Sequence, residues 1–252
     1  MFNLIAFSSS IASGASYAAV TAATDQSQTI SANGKFILPS DQKIRMAAVV
    51  GADITAARID APSLRSLVLP EVDPVNVGAA VPDRPCLVDY GEFGATILRN
   101  EELSFQTSRA VVAAAQNTAG LWISDRPFTP VRGPIFTLVA SFTNTLLAYG
   151  WSLSGLTFNQ TLPSGTYIVV GLRTVCASAI FSRLVFPGVS QYRPGCLNDV
   201  LYTNEMVPDY FRRGKLGKWG EFQNTAQPNI EVFGAAAGAQ TGAAYLDVIK
   251  VK

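Results

Sequence analysis

Hydrophobic and polar residues alternate strictly along Glu102-Leu103-Ser104-Phe105-Gln106-Thr107, which sets Leu103 and Phe105 on one face of an extended segment and their polar neighbours on the other. A helix cannot bury such a pattern on one side, because its period is 3.6 residues and not two. The same alternation recurs at Lys43-Ile44-Arg45-Met46, while residues 135–143 and 165–172 are β-branched or aromatic runs bounded by turn residues. Leu121-Trp122-Ile123 reads as a short strand between turns, residues 177–186 as a strand closing at Pro187-Gly188, and residues 245–251 as the last strand. Turn signals at Ala32-Asn33-Gly34, Pro39-Ser40-Asp41, Arg132-Gly133-Pro134, Pro163-Ser164-Gly165, Pro187-Gly188 and Pro194-Gly195 fall about a strand length apart. The chain is therefore expected to be mainly β, a sandwich, jelly roll or barrel with few short helices. The best helix candidates are residues 108–116, an Ala/Val-rich run, and 206–213, which stops at Gly214.

Length accommodates one large β domain or two smaller ones. Pro70, Pro74, Pro82 and Pro85 with Gly78, Gly91 and Gly94 make residues 70–94 a long loop or crossover, too rich in breakers for regular structure. Residues 1–30 carry no Lys or Arg and only a short apolar run, so the basic region of a signal peptide is missing. They read as an arm reaching onto a neighbour or as a short helix on a sheet edge. The domain expectation is an arm over 1–30, a first β-sandwich over 31–130 and a second over 131–252. Only 15% of residues are charged, against the quarter or so of an ordinary soluble domain, and 48% are hydrophobic. A subunit whose neighbours cover much of its surface tolerates that better than a monomer, because interface centres are depleted in Lys, Glu and Asp. A net charge of +1 gives no global field to attract nucleic acid.

Histidine is absent, which removes the commonest general base, metal ligand and nucleophile partner and argues against an enzyme. Carboxylates alone serve in glycosidases, and Glu101-Glu102, Glu71/Asp73 and Asp89/Glu92 are the neighbouring acids on offer. Adjacent acids on a strand point to opposite faces, so Glu101 and Glu102 make a poor pair, and no catalytic residue is nominated. The run Gly214-Lys215-Leu216-Gly217-Lys218-Trp219-Gly220 only mimics a phosphate loop, lacking the Lys-Ser/Thr that phosphate and magnesium require. Arg212, Arg213, Lys215, Lys218 and Trp219 do gather cations beside aromatics, a composition suited to contact with another subunit, a membrane's anionic face or nucleic acid. Cys86, Cys176 and Cys196 form neither a disulfide framework nor a zinc site by spacing. Cys196 follows a Pro-Gly turn, a place for an exposed thiol, although a small semi-apolar filler is the simpler reading. Asn159-Gln160-Thr161 fits a glycosylation sequon too short to weigh without a secretory signal. No metal or other cofactor is implied.

Residues 162–171, 179–188 and 192–195 resemble the later strands of jelly-roll coat proteins from tailless icosahedral phages. The resemblance implies one jelly roll or two in tandem, standing upright in a shell, grouped as trimers of pseudo-hexagonal outline and often lying above an internal membrane. It implies as partners the chain itself, other capsid proteins and, through the basic loop, a membrane or genome, with no small-molecule substrate. The expected role is a self-assembling viral coat protein located in the virion. The alternative is a β-sandwich module binding carbohydrate or a cell surface, with Trp122, Trp151 or Trp219 as stacking platforms.

Overall fold

The computed structural model describes residues 2–12, 16–51, 53–65, 71–72, 75–76, 87–91, 94–110, 113–189, 191–199 and 210–251. The fold is mainly β with antiparallel sheets. The chain divides into two units, Asn3–Pro127 and Phe128–Lys252, the first two residues grouping with the latter.

The strands of the first unit are β1 (Phe2–Ile11), β2 (Ala18–Val20), β3 (Thr29–Ile30), β4 (Phe36–Ile37), β5 (Gln42–Gly51), β6 (Ile54–Asp60), β7 (Glu71–Val72), β8 (Val75–Asn76), β9 (Leu87–Asp89), β10 (Ala95–Ile97), β11 (Glu102–Arg109) and β12 (Ala115–Ser124). One sheet runs β1-β12-β5-β10, with β8 and β9 also on β5; the other runs β3-β4-β11-β6-β7, with β2 also on β11. Ile5, Phe7, Ala47, Val49 and Leu121 from the first sheet meet Phe36, Ile59, Leu103 and Phe105 from the second in one buried cluster. Phe7 sets its edge against Phe36 at 5.0 Å. Leu103 and Phe105 thus fill the core that their alternation demanded.

Three expectations change here. Residues 2–11 form a strand of the sheet and not a helix. Of the expected helix at residues 108–116, residues 108–109 instead end β11 and 115–116 begin β12, because antiparallel pairing with β6 and β5 outweighs the helix propensity of an Ala/Val run, while residues 111–112 lie outside the described residues. Within residues 70–94, β7, β8 and β9 pair with β6 or β5 despite the breakers, Tyr90, Gly91 and Gly94 are irregular, and residues 70, 73–74, 77–86 and 92–93 lie outside the described residues.

In the second unit the strands are β13 (Phe136–Leu146), β14 (Trp151–Gly155), β15 (Thr157–Phe158), β16 (Thr166–Cys176), β17 (Ala179–Val185), β18 (Gly195–Leu197), β19 (Gly220–Gln223), β20 (Asn229–Gly234) and β21 (Gly238–Val251). They make the sheets β15-β13-β21-β16-β19 and β14-β20-β17-β18. Leu138, Ala140, Phe142, Leu172, Ala244 and Leu246 of one sheet and Leu184, Ile230 and Val232 of the other are buried. Of the second expected helix, residues 206–209 lie outside the described residues, Tyr210 is helical, and Phe211 to Leu216 form turns and a bend.

Both units wind in the same order. Count β2–β4 as one segment and leave aside the short β8, β9 and β15. In each unit the first strand then lies beside the eighth, the eighth beside the third and the third beside the sixth, while the other sheet runs second, seventh, fourth, fifth. Details repeat as well. The tight turn from third to fourth strand carries a positive φ of 57° at Asp53 in one unit and at Ser178 in the other. Five residues after each stands an arginine, Arg58 or Arg183. Each guanidinium lies 3.9 Å from the centre of an aromatic ring, Tyr17 or Trp151. Each Nε donates to the residue directly across the strand pair, Gln106 at 2.8 Å or Glu231 at 2.6 Å.

Candidate functional site

The basic loop follows Tyr210 and is fastened along β16, where the pairing register slips between Val169 and Gly171. Leu172 N–H donates to the Phe211 carbonyl at 3.0 Å, Gly214 N–H to Val170 at 2.9 Å and Trp219 N–H to Val169 at 2.9 Å. Gly171 makes the approach feasible: a Cβ there would lie 2.9 Å from Arg212 Cα and from the Phe211 carbonyl oxygen. On its other side Gly214, at φ 74°, accepts from Val131 N–H at 2.9 Å.

Asp247 is the electrostatic anchor. Its side chain is 1% exposed. It accepts from Arg212 Nε and Nη2, both at 2.6 Å, from Arg213 N–H at 2.8 Å and from Thr137 Oγ1 at 2.8 Å. Burial pushes this carboxyl's pKa up, but the hydrogen bonds from Arg212, Arg213 and Thr137, with the charge of Arg212, outweigh burial and hold it below the usual value. Arg212 is therefore engaged inside the unit. Arg213, Lys215 and Lys218 are exposed, and Lys218 reaches Glu221 at 2.5 Å. Trp219 is fully buried, with the Phe2 ring set edge-on to it at 5.1 Å. All five residues lie on this one loop, and the sequence reading missed its anchor, Asp247. A lone acid inside the apolar run Leu246-Asp247-Val248 was the available signal, since a carboxylate on a strand between buried neighbours needs a cation.

The other described acids of this unit are also paired: Asp199 with Arg173 at 2.6 Å, Glu221 with Lys218, and Glu231 with Arg183 at 2.6 Å. Trp122 and Trp219 are fully buried and present no stacking platform; Trp151 is half-buried, with one face under Arg183. Glu102 pairs with Lys35 at 3.1 Å, and Glu101 accepts from Leu98 N–H. Asp73 and Glu92 lie outside the described residues. Cys196 is buried, in keeping with the simpler reading of a small semi-apolar filler and not with an exposed thiol; burial pushes its thiol up to about 12 and that of Cys176 to about 11. Cys86 lies outside the described residues. Among the described residues no group of three or more His, Cys, Asp or Glu is placed to hold a metal ion.

No protein-family model matches the chain, and no curated protein matches it in sequence. Among solved structures it is similar to the major capsid protein P2 from Bacteriophage PM2, at 9% identity and a TM-score of 0.25, over 100% of this chain and 98% of that one. So slight a superposition fixes neither fold nor role.

Proposed function

We propose that the chain is a double jelly roll and that it serves as a self-assembling viral coat protein, acting as a homotrimer within an icosahedral shell alongside other capsid proteins. The observation that carries this reading is the strand order repeated in both units, first-eighth-third-sixth opposite second-seventh-fourth-fifth. That is the order two nested Greek keys produce, and the jelly roll is a recurrent architecture of capsids. Fold alone does not dictate function. The surface supplies the second support: charge is sparse, the described acids of the second unit are taken up in ion pairs, and Phe136, Leu147 and Leu153 are each more than half exposed. Such a surface favours cover by neighbours, and a closed shell covers it symmetrically.

In this reading the exposed Arg213 and Lys215, with Lys218 beside its partner Glu221, form a cationic rim, held in shape by Arg212 and Asp247, that touches a neighbour, a membrane or the genome. Light scattering and negative-stain microscopy across a concentration series test the reading. Trimers, sheets or shells are the expected species. A protein that remains a monomer at high concentration would overturn it.

A further inference from the structure

The sheet built from first, eighth and third strands occurs once in each unit, and its outer face differs between them. In the first unit Ile5, Phe7, Ala47, Val49 and Leu121 face the core. On the opposite face, where the register sets Trp122 beside Met46, Gly120 beside Ala48 and Thr118 beside Val50, the side chains are buried too. In the second unit β13 alternates cleanly: Leu138, Ala140, Phe142 and Leu146 are buried, whereas Ser141, Thr143 and Thr145 are exposed. Across from them on β21 stand Ala243, Thr241 and Ala239. Leu147, next in the same alternation, is 57% exposed. The Asp247 end of this face lies under the basic loop; the remainder is open.

The open part carries no charge. No Asp, Glu, Lys or Arg occurs between Arg132 and Arg173, or between Glu231 and Asp247, and these spans supply β13, β14, β15 and most of β21. Arg173 and Asp247, which border the face, are matched by Asp199 and Arg212.

We infer that a second copy of this chain covers the open face of β13 and β21, an inference that rests on the coat-protein reading. The repeated strand order makes this face the counterpart of one already buried in the first unit. Its neutrality selects against a polyanion or an anionic lipid surface, which need cations, and suits a low-charge protein surface such as another copy offers. The composition fits a contact made late. The first unit's face carries the buried, apolar Leu4, Met46, Val50 and Trp122, whereas the exposed Ser141, Thr143, Thr145 and Thr241 stay hydrated until a neighbour arrives.

The test compares wild type, Thr143→Lys and Thr143→Val by light scattering, with hydroxyl-radical footprinting of Leu147 on dilute and assembled wild-type protein. Thr143→Lys should raise the concentration for half-assembly at least about tenfold at unchanged melting temperature, since a charge would be buried without a partner. Thr143→Val should assemble like wild type, and Leu147 should become protected on assembly. If wild type never assembles, the coat-protein reading fails. If wild type assembles while Leu147 stays as reactive as in the monomer, or a folded Thr143→Lys assembles equally well, that reading survives and this face is not the contact. Should Thr143→Lys misfold, the footprint decides.

Discussion

At the scale of single residues, Asp247 is the most consequential group that the cationic cluster failed to announce. Arg212→Ala would leave its carboxylate buried beside only neutral donors, and breaking a buried pair in this way costs about 3–5 kcal/mol. Thermal unfolding should show that loss, and Arg213→Ala, which keeps the backbone N–H bond, should lose far less. The pH dependence follows from the direction of the shift. Because the folded state holds the Asp247 pKa below its unfolded value, its contribution is complete above the unfolded value of about 4 and disappears as pH falls through the folded one. Asp247→Asn should therefore be less stable than wild type at neutral pH, with the gap closing in acid; a gap constant down to low pH would contradict the assignment. The thiols give a simpler case. In a Cys86→Ser variant, Cys176 and Cys196 should resist a disulfide reagent near pH 8 in the native state and react once urea exposes them, because burial holds both in the thiol form.

Elements show where sequence reading succeeds and where it stops. Period-two alternation found the strand at Glu102–Arg109, and β-branched runs bounded by turns found those beginning at Phe136, Thr166 and Ala179, because these signals are local. The run at 108–116 misled because helix propensity is also local, whereas the pairing that overrides it involves residues far away in sequence. Likewise the basic cluster was visible, but its division into an internal anchor and an exposed rim depends on a strand more than thirty residues later. Gly171 belongs to the same class: nothing local marks it, yet its missing side chain admits the loop. Gly171→Ala would force Cβ against backbone at 2.9 Å, which no rotamer relieves. We expect a loss of about 1–3 kcal/mol and faster amide exchange at Gly214 and Trp219, the donors that tie the loop to β16. A silent Gly171→Ala would mean that the loop is not held there.

For the whole molecule, the coat-protein reading raises the question of which surface would drive assembly, because the second unit offers a cationic rim and a neutral sheet face. The two respond to salt in opposite ways. Contacts made through Arg213, Lys215 and Lys218 are exposed and screened over roughly 8–10 Å near physiological ionic strength, so assembly driven by them should weaken steeply as salt rises. Burial of Thr143, Thr145, Leu147 and Thr241 involves no ion and should hold or strengthen slightly. The neutral face therefore predicts a half-assembly concentration that changes less than about threefold between ~50 mM and ~500 mM sodium chloride. A fall in assembly of a hundredfold or more over that range would transfer the driving contact to the rim, where Arg213→Glu should then abolish it. Under the neutral-face account Arg213→Glu leaves assembly nearly intact and alters only the approach rate, because rim charges act mainly on association kinetics.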